Sequence, residues 1–355
     1  MRRGKVNNCR TTAPAHGEAI DDAYRTRSAP AVTPPGARRV GLGLAALGRP
    51  GYITVEHGRD LAGNYEPGAM EQRTHAVLDA AYAGGVRDFD AARSYGRAED
   101  FLASWLANRR IVPGTVVVAS KWGYTYTAGW RIDAERHEVK DHSLATLRQQ
   151  LAETRSRLGA HLSLYQIHSA TLESGVLDDD AVIDEMARLK ATGLRVGLTL
   201  TGASQSDVLR RALEVTRGGE RVFDAVQATW NLLERGAGSA LEEAHGAGMR
   251  VIVKEALANG RLTRRNADPA FAARLAMLGE EAARLDTTVD ALALAGALAR
   301  PWADVVLSGA ATTEQLRSNL RAVKVPWKAD IDARLESLTM ESGEYWRERS
   351  ALPWN

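Results

Sequence analysis

The chain has 355 residues, of which 45% are hydrophobic and 25% are charged, so it can bury a sizeable core and is not a disordered or collagen-like protein. Its 46 Lys and Arg residues against 44 Asp and Glu residues leave a formal charge of +2, which argues against a nucleic-acid partner. The single cysteine, Cys9, excludes an internal disulfide scaffold, and no run of about 18 apolar residues predicts a membrane span.

The first 37 residues differ in composition from the rest of the chain. They are rich in Arg, Ala, Pro, Thr and Gly and show no helical or strand periodicity. Residues 1–40 carry eight basic side chains against three acidic ones. We therefore interpret residues 1–37 as a disordered basic leader. Since no apolar segment of a secretion signal follows Arg2 and Arg3, a cytoplasmic protein is expected.

From residue 38 onward, short β-branched runs alternate with longer amphipathic runs. The predicted strands are 39–44, 86–90, 115–120, 162–168, 194–200, 222–229, 250–255 and 303–308. The predicted helices lie near 70–83, 97–109, 143–158, 180–191, 205–215, 237–247, 268–298 and 313–322. Eight strands alternating with helices are typical of the α/β class and predict a single (β/α)8 TIM barrel domain over residues 38–355.

A doubly wound sheet is the alternative fold, and it would place a glycine-rich dinucleotide turn early in the chain. Gly41, Gly43 and Ala46 match the pattern G-x-G-x-x-A. That turn requires a helix to begin directly after it, whereas Pro50-Gly51 stands there. The match is therefore interpreted as chance, and the barrel is favoured.

In a barrel, catalytic groups belong at the carboxyl ends of the strands. Asp90, Lys121 and His168 lie at the ends of the second, third and fourth predicted strands, and Tyr95 follows Asp90 by five residues. Each has an ordinary structural explanation: a helix cap, a solvated loop lysine, a rim histidine and a packing aromatic. Together they form an acid–base set, because a nearby ammonium favours the phenolate of a tyrosine and a histidine can orient a carbonyl oxygen.

The same residues lie in segments that resemble a known family. Residues 89–96 (FDAARSYG), 119–121 (ASK), 164–168 (LYQIH), 225–233 (AVQATWNLL) and 308–320 (SGAATTEQLRSNL) are similar to segments of the aldo-keto reductases. The resemblance extends over roughly residues 38–325. It implies an enzyme that interconverts an aldehyde, ketone or sugar carbonyl and the corresponding alcohol.

The resemblance also implies roles for individual residues. Tyr95 would be the general acid, tuned by Lys121 and Asp90, and His168 would orient the small-molecule carbonyl or alcohol substrate. The implied cofactor is NADP(H), with NAD(H) as the second choice, lying across the barrel mouth. The residues implied to bind it are Thr199, Gln227, Lys254, Leu257, Gly260, Gly309, Thr312, Gln315 and Asn319.

Three departures from the family pattern concern the cofactor. Leu200 stands where a carboxamide-binding Asn is common, and Lys254 where an aromatic residue often stacks on nicotinamide. Gly309 and Gln315 stand where many members have a basic residue for the 2′-phosphate, so these positions support an NADP(H) preference only weakly. The alternative to an enzyme is a cofactor-binding regulatory or sensor barrel without turnover.

The interval between Lys121 and His168 contains an aromatic-rich stretch, residues 122–142. It either walls a substrate pocket or covers the barrel helices. His137 and His142 are spaced i, i+5 rather than i, i+4 as in H-E-x-x-H, so no metal site is predicted.

Overall fold

Eight parallel strands close into a barrel in the part of the chain that the structure, a computed structural model, describes: Met1 and residues 39–355. The strands are, in chain order, β1 (Val40–Gly43), β2 (Asp88–Asp90), β3 (Val117–Trp122), β4 (Tyr124–Tyr126), β5 (Glu138–Lys140), β6 (Leu162–Ala170), β7 (Arg195–Leu200), β8 (Thr216–Arg217), β9 (Glu220–Arg221), β10 (Ala225–Thr229), β11 (Arg250–Lys254) and β12 (Val305–Ser308). The barrel order is β1-β12-β11-β10-β7-β6-β3-β2, and β2 pairs with β1. The predicted (β/α)8 fold is confirmed; the predicted leader, apart from Met1, lies outside the described residues.

Helices follow the barrel strands. They are α1 (His57–Asp60), α2 (Pro67–Ala83), α3 (Ala98–Asn108), α4 (Leu144–Leu158), α5 (Asp180–Ala191), α6 (Gln205–Glu214), α7 (Gly238–Gly246), α8 (Ala272–Arg284), α9 (Val289–Leu298), α10 (Thr313–Leu320), α11 (Ala329–Leu335) and α12 (Ser342–Ser350). The predicted helix over 268–298 is two helices, because Asp286 adopts a positive φ of 49° and Thr288 caps α9 by accepting from the amide of Ala291. Helices α1, α11 and α12 were not predicted.

Helix α4 shows how local sequence sets an element. Ser143 accepts a hydrogen bond from the Thr146 amide at the N-terminus, and Gly159 ends the helix with a φ of 50°. Leu147, Leu151 and Leu158, on one face of the helix, are buried in the interior. The helix predicted near residues 143–158 is confirmed.

The early glycines serve the barrel rather than a dinucleotide turn. Gly41 and Gly43 belong to β1, and a Cβ on Gly41 would lie 2.7 Å from Leu307 Cδ2. The inner layer of the barrel around this point is formed by small and aliphatic side chains. They are Ala119, Leu164, Ala225, Ile252, Val305 and Leu307. Gly41 therefore provides room for the filled interior of a small barrel.

Gly197 on β7 makes the closest approach to a neighbouring strand. A Cβ there would lie 2.6 Å from the carbonyl oxygen of Ala225 on β10, and backbone cannot move aside cheaply. We expect Gly197→Ala to lower the free energy of unfolding by about 1–3 kcal/mol. Gly279→Ala in α8 is the control: its Cβ meets nothing within 4 Å, so the fold should gain about 0.5–1 kcal/mol. Urea unfolding of both variants checks this, and equal effects would contradict it.

Two two-stranded hairpins, β4-β5 and β8-β9, lie outside the barrel sheet. Hairpin β4-β5 belongs to the aromatic-rich stretch between β3 and β6, and its residues Tyr124 and Glu138 lie at the barrel mouth. Among the described residues, no helix is long and apolar enough to cross a membrane.

Candidate active site

A cavity of about 1050 Å³ opens at the carboxyl ends of the barrel strands. The predicted site residues that line it are Asp90, Tyr95, His168, Thr199, Gln227, Lys254, Leu257, Gly260, Gly309, Thr312, Gln315 and Asn319. Lys121 lies behind Asp90 and is fully buried. Residues from seven of the eight barrel strands or the loops that follow them thus meet at one cavity, the expected place for a barrel active site.

Asp90 and Lys121 form a buried ion pair behind the cavity wall. Lys121 Nζ donates to Asp90 Oδ2 and to the carbonyl oxygen of Ala91, the latter at 2.9 Å. The other carboxylate oxygen of Asp90 accepts from Gln227 Nε2 at 3.0 Å and Gln166 Nε2 at 3.4 Å. Burial lowers the pKa of Lys121, against the attraction of Asp90. The carboxylate is therefore held in one orientation by three donors from β3, β6 and β10.

Two cations lie near the ring of Tyr95. Lys121 Nζ is 4.7 Å from the centre of the Tyr95 ring, and the guanidinium carbon of Arg49 is 5.2 Å from it. Burial, followed by the charge of Asp90, nevertheless raises the pKa of Tyr95 well above 10, and Arg49 opposes this only in part. The nearby ammonium alone would favour the phenolate, but burial dominates in the structure, so the phenol is protonated at neutral pH.

A bulge in β6 sets the position of His168. The register with β7 passes from Ile167↔Leu198 to Ala170↔Leu200, so two residues of β6, one of them His168, lie opposite one residue of β7. The His168 ring lies 5.5 Å from the Tyr95 ring, edge to face. Burial and then the positive charges of nearby lysines and Arg49 lower the pKa of His168 well below 6.5. The imidazole is therefore neutral at neutral pH.

The next wall of the cavity carries the polar groups expected to hold a carboxamide. Thr199 is buried, and its hydroxyl accepts from the amide of Ser169 at 2.7 Å. Gln166 Oε1 is buried without a hydrogen-bond partner among the described residues. Gln227 uses its amide nitrogen on Asp90, and Leu200 is buried in β7. Gln166 does not line the cavity, whereas Thr199 and Gln227 do, so these two are the polar groups positioned for a carboxamide.

Lys254, Glu255 and Arg349 form a three-residue charge cluster. Lys254 Nζ donates to Thr229 Oγ1 at 2.8 Å, and Arg349 from α12 binds both carboxylate oxygens of Glu255. Burial lowers the pKa of Lys254 to about 8. Burial opposes ionisation of Glu255, but Arg349 and Lys254 outweigh it and lower its pKa to about 2. Glu255 thus stabilises the fold above about pH 4.5, and this contribution is lost as the pH falls towards 2.

At its other end the cavity reaches helix α10. Thr312 caps this helix by accepting from the Gln315 amide, and a Cβ on Gly309 would meet nothing within 4 Å. Gln315 accepts from the Ala311 amide and donates to Asp60 Oδ1, both at 2.8 Å. The open backbone at Gly309 and the free N–H groups of the first turn suit a phosphate group.

Asn319 is buried, with its amide 2.8 Å from Ser308 Oγ. The amide orientation that satisfies both of its ends donates to Asp290 Oδ2 at 2.9 Å and accepts from Ser308. Arg317 and Arg321 are exposed, and Arg321 bonds to the carbonyl oxygen of Asp286. These two arginines do not line the cavity.

Basic residues that no sequence motif identified reach the cavity from other loops. Arg59, Arg264 and Arg265 line the cavity. Arg265 is paired with Asp60 and Glu56, whereas exposed Arg264 forms no ion pair with any described residue. No signal in the sequence located Arg264, because its position depends on how the segment after β11 folds back over the barrel.

The segment before α1 and the last residues of the chain meet over the barrel mouth. Tyr52 and Asn355 exchange backbone hydrogen bonds of 3.1 and 3.3 Å. The Asn355 side chain accepts from the His57 amide at 2.6 Å and donates to the Thr54 carbonyl at 2.8 Å. The Val55 amide donates to the Asn259 carbonyl at 3.0 Å. Residues 52–57 are therefore held from two sides.

We expect Asn355→Ala to loosen this closure. Two side-chain hydrogen bonds are lost, so the free energy of unfolding should fall by about 1–3 kcal/mol. Amide hydrogen exchange should speed up at Tyr52 and His57. Asn108→Ala, at an exposed helix end, is the control and should change neither quantity measurably. Unchanged exchange at residues 52–57 in the Asn355 variant would contradict the interpretation.

Part of the aromatic-rich stretch 122–142 walls the cavity, and part of it packs against the rest of the barrel. Tyr124 lines the cavity, its ring 5.0 Å from that of His168. Trp122 is buried in the main core, and Trp130 packs on a cluster that contains Phe101. His142 Nε2 donates to the His168 carbonyl oxygen at 2.9 Å, which makes it a structural residue. The described residues contain no group of His, Cys, Asp and Glu arranged to hold a metal ion.

Comparisons with known proteins agree with this architecture. The chain is 25% identical over 294 residues to an uncharacterized oxidoreductase, YrpG, of Bacillus subtilis, covering 76% of this chain and 87% of that one. The holo form of the aldo-keto reductase AKR11C1 from Bacillus halodurans is similar in structure, with a TM-score of 0.66 and 21% identity over 85% of this chain and 92% of its own. The PA4992 protein of Pseudomonas aeruginosa is also similar in structure, with a TM-score of 0.58 and 22% identity over 82% of this chain and 94% of its own.

The similarity in structure, at identities near one fifth, supports the barrel fold. The family follows from the sequence of the chain as a whole, since residues 41–339 match the model of the aldo/keto reductase family, a family of oxidoreductases. The chain belongs to the aldo/keto reductase family.

Proposed function

We propose that this protein is an NAD(P)H-dependent oxidoreductase that interconverts an aldehyde, ketone or sugar carbonyl and the corresponding alcohol. One observation carries the proposal. A protonated Tyr95, the buried Asp90–Lys121 pair and a neutral His168 adjoin one cavity that continues to the N-terminus of α10. This arrangement suits the protonation of an oxygen that is becoming an alkoxide.

The proposed roles follow from charge and position. Tyr95 donates its hydroxyl proton to the substrate oxygen, and the phenolate that remains is stabilised by the two cations near its ring, Lys121 and Arg49. Asp90 fixes Lys121. His168, held neutral, donates a hydrogen bond that orients the carbonyl without adding a competing acid. The bound nicotinamide cofactor supplies or accepts the hydride.

The cofactor residues are proposed from their positions in the cavity. Gln227 and Thr199 would hold the carboxamide, and Lys254 would lie near the nicotinamide. Leu257 and Gly260 would line the pyrophosphate, with Gly309 and Thr312 at the N-terminus of α10. Arg264 supports NADP(H) over NAD(H), because a 2′-phosphate is best met by an unpaired arginine.

A cofactor titration followed by a substrate screen tests the proposal. We expect both NADPH and NADH to quench tryptophan fluorescence, with tighter binding of NADPH. When aldehydes, ketones or sugars are added, the absorbance of the reduced nicotinamide should fall. Arg264→Gln should reduce the preference for NADPH. Cofactor binding without turnover on any carbonyl would favour the regulatory alternative instead, and absence of cofactor binding would defeat both.

A further inference from the structure

Arg49 is a buried cation in the cavity wall whose N–H donors the proposed proton transfer does not use. It is 2% exposed and follows β1 in the chain. Its Nη1 atom donates to the Ser94 carbonyl at 3.0 Å and to Glu138 Oε2 at 2.9 Å. Its guanidinium carbon lies 4.8 Å from the ring centre of Trp354 and 5.2 Å from that of Tyr95. Arg49 is thus fixed beside the proposed proton donor.

Arg49 keeps hydrogen-bonding capacity that the protein does not use. A guanidinium has five N–H donors. Nε is buried and has no hydrogen-bond partner, and Nη2 makes no hydrogen bond with a described residue either. Unsatisfied donors of a buried cation are costly, so a site that keeps them is suited to an acceptor from outside the chain.

The surrounding charges also favour an anion. In this half of the cavity, Arg49, Lys254 and Arg349 face Glu138 and Glu255. Both oxygens of Glu255 are taken by Arg349, and one oxygen of Glu138 is taken by Arg49. The positive charge of Lys254 remains in excess after this pairing. Burial and then the charges of Lys121, Arg49 and Lys254 lower the pKa of His168, as expected where the potential is positive.

We propose that Arg49 determines specificity by binding a carboxylate of the carbonyl substrate, so that the substrate class is short oxo acids rather than neutral aldehydes. The inference rests on the proposed function. Because Arg49 lies about 5 Å from the Tyr95 ring, the carboxylate and the reacting carbonyl are separated by only a few carbon atoms. Tyr52 and Trp354, which contact the guanidinium, wall the sides of this subsite. Planar, bidentate recognition of a carboxylate is the interaction that arginine makes best.

Two substrates of equal chain length, 4-oxobutanoate and butanal, test the specificity. We expect kcat/KM for 4-oxobutanoate to exceed that for butanal by about 10- to 100-fold, the size of a charge-assisted hydrogen-bonded contact. Arg49→Met should bring the ratio close to one, chiefly through a higher KM. Arg131→Met is the control, because it removes an exposed cation that does not line the cavity and should leave the ratio unchanged. Equal ratios in the protein and in the Arg49 variant would overturn the proposal.

Binding of succinate, which cannot be reduced, separates this inference from the proposed function. Calorimetry with the full chain should show succinate binding that Arg49→Met weakens at least tenfold. Glu138→Gln removes the competing carboxylate and should tighten succinate binding several-fold. If no carbonyl is reduced but succinate binds in this Arg49-dependent way, the carboxylate site at Arg49 stands, whereas the proposed function and the substrate class fail.

A second variant covers the case in which Arg49→Met does not fold. Arg49→Lys keeps the charge beside Glu138 but loses the planar fork, so it should fold and bind succinate with intermediate affinity. Circular dichroism verifies folding of each variant. Absence of succinate binding, or affinity that is the same in the Arg49→Lys and Glu138→Gln variants as in the unmodified protein, would overturn the inference.

Discussion

Tyr95→Phe is expected to lower kcat/KM for carbonyl reduction by about 10²- to 10⁴-fold, the usual range for the loss of general acid catalysis. The ring and its contacts with Lys121 and Arg49 remain, so only the proton donor is removed. Cofactor affinity, measured by fluorescence titration, should change by less than about threefold. Tyr52→Phe is a matched control, since it removes another phenol from the same cavity, and it should cost less than about tenfold.

The raised pKa of Tyr95 gives this prediction a pH dependence. Reduction needs the protonated phenol, which persists to above about pH 10, so its rate should not fall between about pH 6 and 9 because of Tyr95. Oxidation of the alcohol needs the phenolate, so its rate should rise with pH over the same range. A full rate in Tyr95→Phe, or an oxidation rate that falls with pH, would remove Tyr95 from the mechanism.

Lys121→Met is expected to have the second large effect, on both stability and activity. Lys121 is the buried cation that compensates Asp90, and its removal leaves a carboxylate uncompensated in the interior. Breaking a buried ion pair in this way costs about 3–5 kcal/mol of the free energy of unfolding. Reduction should also slow by more than about 10²-fold, because the cation near the phenolate is lost. Chemical unfolding and steady-state kinetics measure the two effects.

The double variant Asp90→Asn/Lys121→Met separates charge from packing. With both charges gone, the interior contains no uncompensated ion, so the double variant should be more stable than Lys121→Met alone. Its activity should remain low, since the proposed proton donor still lacks its neighbouring cation. A buried ion pair in this position would be contradicted if the stability losses of Asp90→Asn and Lys121→Met simply added in the double variant. A loss of less than about 1 kcal/mol in Lys121→Met alone would contradict it as well.

The barrel and the composition of its mouth could be predicted from the chain alone. The run 115–120 has β-branched residues, and helix α4 has a Ser143 cap and ends at Gly159. Local signals of this kind predicted all eight strands of the barrel. Local signals failed at the break between α8 and α9, because an apolar pattern continues through Asp286. They also failed for α12, whose polar composition indicates no buried face although Tyr345 and Trp346 are buried.

The sequence by itself determined the closed α/β barrel and the set of polar side chains at the ends of its strands, because strand and helix periodicity are local and parallel strands all point the same way. Only the tertiary structure decided which charges meet. Arg49 and Glu138 are 89 residues apart and Glu255 and Arg349 are 94 apart, so no spacing along the chain pairs them. Burial, likewise a property of the folded chain, decided that Tyr95 is protonated and His168 neutral.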